Sequence, residues 1–431
     1  MAESLKIGIA GLGTVGIGVV KMLEQNRDLL TSRAGRSLDL VAVNAREKNK
    51  NRGHDLGAYQ WADTPQDLAG MDHLDVIVEL IGGEDGAALE LCEAALKNSK
   101  HVVTANKALM AHHGAKLAVL AEANNVSLAY EAAVAGGIPI IKAMREGFAG
   151  NNIHAVYGIL NGTCNYILSE MRNSGRDFEE VLKEAQELGY AEADPSFDVD
   201  GVDAGHKLCL LTALAFGTKP EFDSLEMTGI RHINATDIAY ASELGYKIKL
   251  LGIARRYDEG IMQVLEPCLV PCDSSLGSVE GVFNAVHVEG DFVDTGYLVG
   301  RGAGEGPTAS AVLSDIVDIA RGYNAPTFGV PAKDLTPPQW VDMGATMNCY
   351  YIRLNVIDQP GVLADVSSIL RDNDVSIEAF LQRGRDPGQA VPLIMTTHET
   401  RHENMTRACA AMEKLGSILD KPCLIPIENI E

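Results

Sequence analysis

From Leu5 to about Glu131, short apolar runs alternate with stretches of helical periodicity. The runs are LKIGIA (5–10), LDLVAV (38–43), LDVIVEL (74–80), HVVTAN (101–106) and VSLAYE (126–131), and a helix is expected from about Val15. Strands that are apolar at nearly every position bury both faces, and crossovers of helical length join such strands in parallel. Residues 1–137 therefore predict a doubly wound parallel sheet of the α/β class. After Gly150 the rhythm changes. Helices are expected at about 164–173, 178–188 and 202–216, then strands near 247–256, 261–270, 282–289 and 292–299. Grouped strands point to a mixed α+β domain over 138–322. A helix near 308–321 is expected to close this part, with 308–325 returning to the first domain.

Residues 323–348 carry Pro326, Pro331, Pro337 and Pro338 with little periodicity, which marks a linker. From Cys349 to the end the pattern reads strand (350–357), helix (from about 362), strand (374–382), strand (390–398), helix (402–414) and strand (418–425). That βαββαβ order predicts a ferredoxin-like unit over 349–431.

Composition narrows the function. With 59 acidic against 36 basic residues, the net charge of -23 argues against nucleic-acid partners and anionic membranes. The longest apolar run, near Leu208–Phe216, is far shorter than the ~20 residues that cross a bilayer. No basic leader precedes LKIGIA, and the eight cysteines show no CxxC pair, so a cytoplasmic location is expected.

Gly11-Leu12-Gly13-Thr14-Val15-Gly16 follows the first strand and opens the first helix. In that setting the first glycine permits a tight turn, the second lets backbone approach a pyrophosphate, and the third lets helix and strand pack closely. This makes the first domain a Rossmann-type dinucleotide site. The second strand ends in Asn44 where an NAD-selective site would place an acid. Arg46 and Lys48 follow and suit a 2′-phosphate, although a solvated basic turn reads the same way. NADP is expected, with NAD possible.

The segment from Gly189 to Leu208 reads GYAEADPSFDVDGVDAGHKL and packs Glu192, Asp194, Asp198, Asp200 and Asp203 ahead of Lys207. Carboxylates this close repel one another unless a cation or a substrate ammonium sits among them. Asp203 and Lys207, four residues apart, share one helix face. Lys207 is the candidate proton donor for a nascent alkoxide, and a structural ion pair with Asp203 is the competing reading. Lys107 follows the strand HVVTAN at the carboxyl end of the sheet, where ligands of such folds collect. Thr163, in GILNGTCNYIL, is placed to line the same pocket. His206 is read as structural.

Together these motifs resemble the homoserine dehydrogenases: the glycine loop, TANK (104–107), EAAVAGGIP (131–139), NGTCNYIL (161–168), the acidic segment, and GRGAGEGPTASAV (300–312). The resemblance implies reversible reduction of L-aspartate 4-semialdehyde to L-homoserine with a nicotinamide cofactor, on the route to threonine, methionine and isoleucine. It makes Lys207 the proton donor and acceptor, and Lys107 an orienting group for substrate and cofactor. Glu192 and Asp203, with Asp198 and Thr163 beside them, become substrate ligands. Gly189 and Gly304 then approach the cofactor together with Leu12, Thr14 and Val15. A monovalent cation, sodium, is implied at Glu131, Val134, Gly136 and Ile138. The tail resembles an ACT domain, with Asp358, Gly361 and Val362 in the turn that opens its first helix, and implies an amino-acid effector, threonine, and a homodimer or homotetramer. The rival readings are a catalytically silent amino-acid sensor that keeps the fold, and a dehydrogenase of a related amino-acid aldehyde.

Overall fold

The computed structural model describes residues 3–382 and 388–430. Strands β1 (Leu5–Ala10), β2 (Leu38–Asn44), β3 (Gln60–Trp61), β4 (Val76–Glu79), β5 (His101–Thr104) and β6 (Leu128–Ala129) form a parallel sheet in the order β3-β2-β1-β4-β5-β6. The order reverses between β1 and β4, which leaves a crevice beyond their carboxyl ends. Ile7 and Ile9 of β1 are buried because helices cover both faces. One covering helix is Thr14–Gln25. Another is Glu305–Ala320, which returns from the second domain and packs its Ala309, Val312 and Ile316 into the same core.

The second sheet contains 11 strands. From the middle domain come β7 (Ile153–Ile159), β8 (Glu226–Met227), β9 (Tyr246–Tyr257), β10 (Gly260–Pro271), β11 (Phe283–Gly290) and β12 (Asp294–Arg301). The C-terminal unit supplies β13 (Met347–Ile357), β14 (Ile377–Leu381), β15 (Ala390–Thr397), β16 (Thr400–Arg401) and β17 (Cys423–Ile427), with helices Val362–Asp372 and His402–Met412. The main path runs β12-β11-β7-β9-β10-β17-β13-β15-β14. Its last four strands have the ferredoxin-like order. Besides short strands such as β3, β8 and β16, the pattern did not anticipate the interior strand β7 or the helix Ala235–Glu243, which Asn234 and Asp237 cap reciprocally.

The C-terminal unit is joined to the middle domain edge to edge. Leu269 of β10 pairs with Ile427 of β17 in parallel, and the Glu428 amide donates to the Leu269 carbonyl at 2.8 Å. Arg255 on β9 forms an ion pair with Glu428, and Asn348 donates to the other oxygen of that carboxylate at 3.0 Å. Asp237, fully buried, accepts from Arg353 at 2.7 Å and from the Tyr351 hydroxyl at 3.1 Å. The proline-rich connector is likewise packed rather than loose. Phe328 is buried against Tyr130 and Gly114, the Ala332 amide donates to Glu122, and the Val341 amide donates to the Ile261 carbonyl.

Candidate active site

The glycine loop has the shape its sequence requires. A Cβ on Gly11 (φ +100°) would lie 2.3 Å from the Leu80 carbonyl oxygen, and one on Gly16 would lie 2.1 Å from that of Gly11. Gly13 faces open space and precedes a helix N-terminus with no side-chain cap, so main-chain amides are left for a phosphate. The loop is held from two sides. Buried Glu79, at the end of β4, accepts from the amides of Ile81 and Gly82 and from the Thr104 hydroxyl. Arg52 donates to the Leu12 carbonyl at 3.1 Å and to the Glu47 carbonyl at 2.6 Å, tying this loop to the one after β2. Arg46 and Lys48 are exposed beside it, with Lys48 over the Trp61 ring.

Between the two domains lies a cavity of about 590 Å³ that brings Val15, Lys107, Thr163, Asp198, Asp203 and Lys207 together, with Gly189, Glu192 and Gly304 on its wall. Asp203 and Lys207 come from the helix Val202–Phe216, and Lys107 begins the helix Lys107–Ala123. Lys207 is 8% exposed. Its Nζ donates to Asp203 Oδ2 and to the Leu160 carbonyl, both at 2.7 Å. An ammonium has three donors, so one remains for a ligand. Lys107 Nζ stands 3.1 Å from Asp203 Oδ1, so a single carboxylate bridges both lysines. Burial opposes ionisation of Asp203, but the two lysines and the Asn161 amide outweigh it and hold its carboxyl well below the usual range.

The five acids of the acidic segment separate on folding. Asp198 and Asp203 face the cavity and are cross-linked by Asn161 Nδ2, at 2.7 and 2.9 Å, while Asn161 Oδ1 caps the helix Gly162–Ser174. Burial raises the Asp198 carboxyl, and the Asn161 bond opposes that shift. Glu192 is exposed at the rim. Asp194 accepts from the Ser196 amide, and Asp200 forms an ion pair with Arg231. The Thr163 hydroxyl donates to the Tyr190 carbonyl at 2.7 Å, fixing the loop that carries Gly189.

Sequence reasoning passed over Asn284 of β11. Its amide lines the cavity, is 1% exposed, and both its polar atoms lack a hydrogen bond among the described residues. The only sequence signal is a polar residue at an inward position of an apolar strand.

The remaining predicted groups lie apart from this cavity. Glu131 accepts from the amides of Ile141 and Lys142, both at 2.9 Å, and its carboxyl is raised to about 7 by burial and the neighbouring Asp315. Val134, Gly136 and Ile138 form the turn that follows, where Gly136 packs against the Gly302 carbonyl. Gly361 adopts a left-handed conformation (φ +101°) at the start of the helix Val362–Asp372, Val362 is buried there, and Asp358 accepts from the Gly388 amide.

Three family models match the chain: homoserine dehydrogenase over 139–317, its NAD-binding domain over 11–131, and the ACT domain over 350–416. The homoserine dehydrogenase of Pseudomonas aeruginosa is 44% identical, with 99% of this chain and 100% of that protein covered. The chain belongs to the homoserine dehydrogenase family. Family membership makes it an NAD(P)-dependent oxidoreductase acting on a CH–OH group. The enzyme of Neisseria gonorrhoeae is likewise 44% identical over 99% of each chain. The crystal structure of a homoserine dehydrogenase from Thiobacillus denitrificans matches with a TM-score of 0.93 and 43% identity over 99% of each chain. A hyperthermophilic archaeal homoserine dehydrogenase solved in complex with NADPH matches at a TM-score of 0.63 and 26% identity, covering 73% of this chain and 97% of that one. Among the described residues, no helix is long and apolar enough to cross a membrane.

Proposed function

We propose that Lys207 moves the proton in the reversible conversion of L-aspartate 4-semialdehyde to L-homoserine, and that NADP is the preferred cofactor. The observation that carries the first part is the single unspent donor of a buried Lys207 in the cavity that also holds Val15 of the glycine loop. A bound nicotinamide would supply the hydride chemistry at C4 of the substrate. Lys207 then gives a proton to the oxygen on C4 during reduction and takes it back during oxidation. Asp203 holds Lys207 and Lys107 in fixed relation, and Lys107 orients substrate and cofactor. Glu192, Asp198 and Asp203 supply the negative field that selects the substrate ammonium, and Thr163 shapes the same wall. The Asn284 amide, unpaired among the described residues, offers both a donor and an acceptor there.

Basic Arg46 and Lys48, with Asn44 in place of an acid, support the 2′-phosphate of NADP. The main-chain amides at Gly11, Leu12, Gly13, Thr14, Val15 and Gly16 would hold the pyrophosphate. A sodium ion would be held at Glu131, Val134, Gly136 and Ile138. The apposition of buried Glu131 and Asp315 is the feature a cation there would relieve. The C-terminal unit senses threonine through the turn at Asp358, Gly361 and Val362, and the product supports threonine, methionine and isoleucine synthesis in the cytoplasm. Edge strand β12, with Tyr297 and Val299 exposed, supports a homodimer or homotetramer through the middle domain.

Homoserine-dependent NADPH formation, measured with and without threonine, tests the whole reading. Turnover with another hydroxy amino acid but not homoserine would reassign the substrate. Absence of turnover with any of them would favour the silent sensor.

A further inference from the structure

We infer that Glu84, His112 and His206 form a binding site for a first-row divalent cation of the zinc class, separate from the catalytic cavity and bridging the two domains beside it. Glu84 lies in the loop after β4, His112 on the helix Lys107–Ala123, and His206 on the helix Val202–Phe216. One ligand atom from each lies within 4.8 Å of the other two, and Glu84 Oε2 is 3.3 Å from His112 Nε2. None of the three lines the cavity that holds Lys207.

His206 is the independent observation. It is 3% exposed, and neither ring nitrogen has a hydrogen-bond partner among the described residues. A buried polar group left bare costs about 1–3 kcal/mol, and a neutral imidazole without a partner is a lone pair in search of one. Phe222 holds both imidazoles, stacking on His206 at 4.1 Å and meeting His112 edge-on at 5.3 Å.

Ligand bonds of about 2.0–2.2 Å require the three atoms to draw together. That closure falls on Glu84 and His112, whose side chains are 52% and 25% exposed, while His206 stays fixed. Two imidazoles and one carboxylate suit a zinc-class ion, with a fourth position left for water. Glu84 and His112 belong to the dinucleotide domain and His206 to the substrate domain. An occupied site would therefore clamp the interdomain cleft one residue from Lys207. Phe197 stands between the site and Lys107, 5.9 Å from the His206 ring and 5.5 Å from Lys107 Nζ. His113, next along the same helix, is already paired with Asp85 at 2.8 Å and serves as an internal control.

The test is titration of the chelator-stripped, full-length protein with Co(II), followed by visible absorption and elemental analysis, with melting temperature recorded in parallel with Zn(II). The expected result is about one ion per chain, with d–d bands but no thiolate charge-transfer band, and a Zn(II)-dependent rise in melting temperature. His112→Ala and Glu84→Gln should each weaken binding roughly tenfold or more, and His113→Ala should not. Binding unchanged in both His112→Ala and Glu84→Gln, a thiolate signature, or no binding at all would overturn the assignment.

Discussion

Replacing Glu266 by Gln tests how the joint between the middle and C-terminal units is charged. Glu266 projects from β10 into a cavity of about 190 Å³ bounded by Arg255, Asn348, Tyr350, His402 and Glu428. Burial, together with the carboxylates of Glu428 and Glu226, raises it from 4.5 to about 7. Arg255 opposes this only in part, because its guanidinium is committed to Glu428. The folded protein thus keeps this proton up to about pH 7, while the unfolded chain releases it near 4.5. Between those values the native state binds more protons than the unfolded state, so stability falls as pH rises, and the full cost is present above pH 7. The displacement is worth about 3 kcal/mol. Gln carries no such cost. The variant should match the wild type at about pH 4 and exceed it by up to about 3 kcal/mol at about pH 8. Urea unfolding at a series of pH values measures the difference. In a Trp61→Phe background the signal comes from Trp340, which lies beside Ile261 of β10. A stability difference that does not change with pH would refute the reasoning.

Lys207→Ala should lower kcat by ~10²–10⁴ while leaving the dissociation constant for NADPH nearly unchanged, and an active variant would end the proton-transfer assignment. Arg46→Ala combined with Lys48→Ala should raise KM for NADPH and leave KM for NADH alone; equal effects on both cofactors would mean the pair does not read the 2′-phosphate. Removing everything after Gly344 strips β13 and β17, exposes the edge of β10, and takes Arg353 and Tyr351 away from Asp237, so both the shared sheet and a buried ion pair are lost. The truncated chain should melt lower or aggregate. A monodisperse product with an unchanged melting temperature would show that the shared sheet contributes nothing.

The truncation bears on regulation. Because the ferredoxin-like unit shares a sheet with the middle domain, deleting it removes stability together with the effector site proposed for it. Substitution within the turn at Asp358 and Gly361 separates the two effects better.

The legible parts of the fold were those where neighbours in sequence report on one another. The parallel sheet followed from runs apolar at nearly every position, and the glycine loop from its place between a strand and a helix. Strand β7 was hidden because its end, Gly158–Ile159, runs directly into Leu160 and the turn before the helix Gly162–Ser174, so one apolar stretch serves two elements. The helix Ala235–Glu243 has a capping pair that is readable at Asn234 and Asp237, but it is only 9 residues long and carries no strong amphipathic stripe.

In the site, local spacing was enough for Asp203 and Lys207, which one helical turn brings together. It was not enough for their surroundings. Whether Asp200 faces the cavity or Arg231, whether Asn284 finds a partner, and whether His206 meets residues 94 and 122 positions earlier in the chain depend on how separate elements dock. Periodicity and turn chemistry act over a few residues, so the amino-acid order alone carried most of the longer elements, the dinucleotide loop and the lysine–aspartate pair. Burial and long-range charge exist only after the domains pack, and that packing sorted the acids, left His206 without a hydrogen-bond partner among the described residues and fused two domains into one sheet.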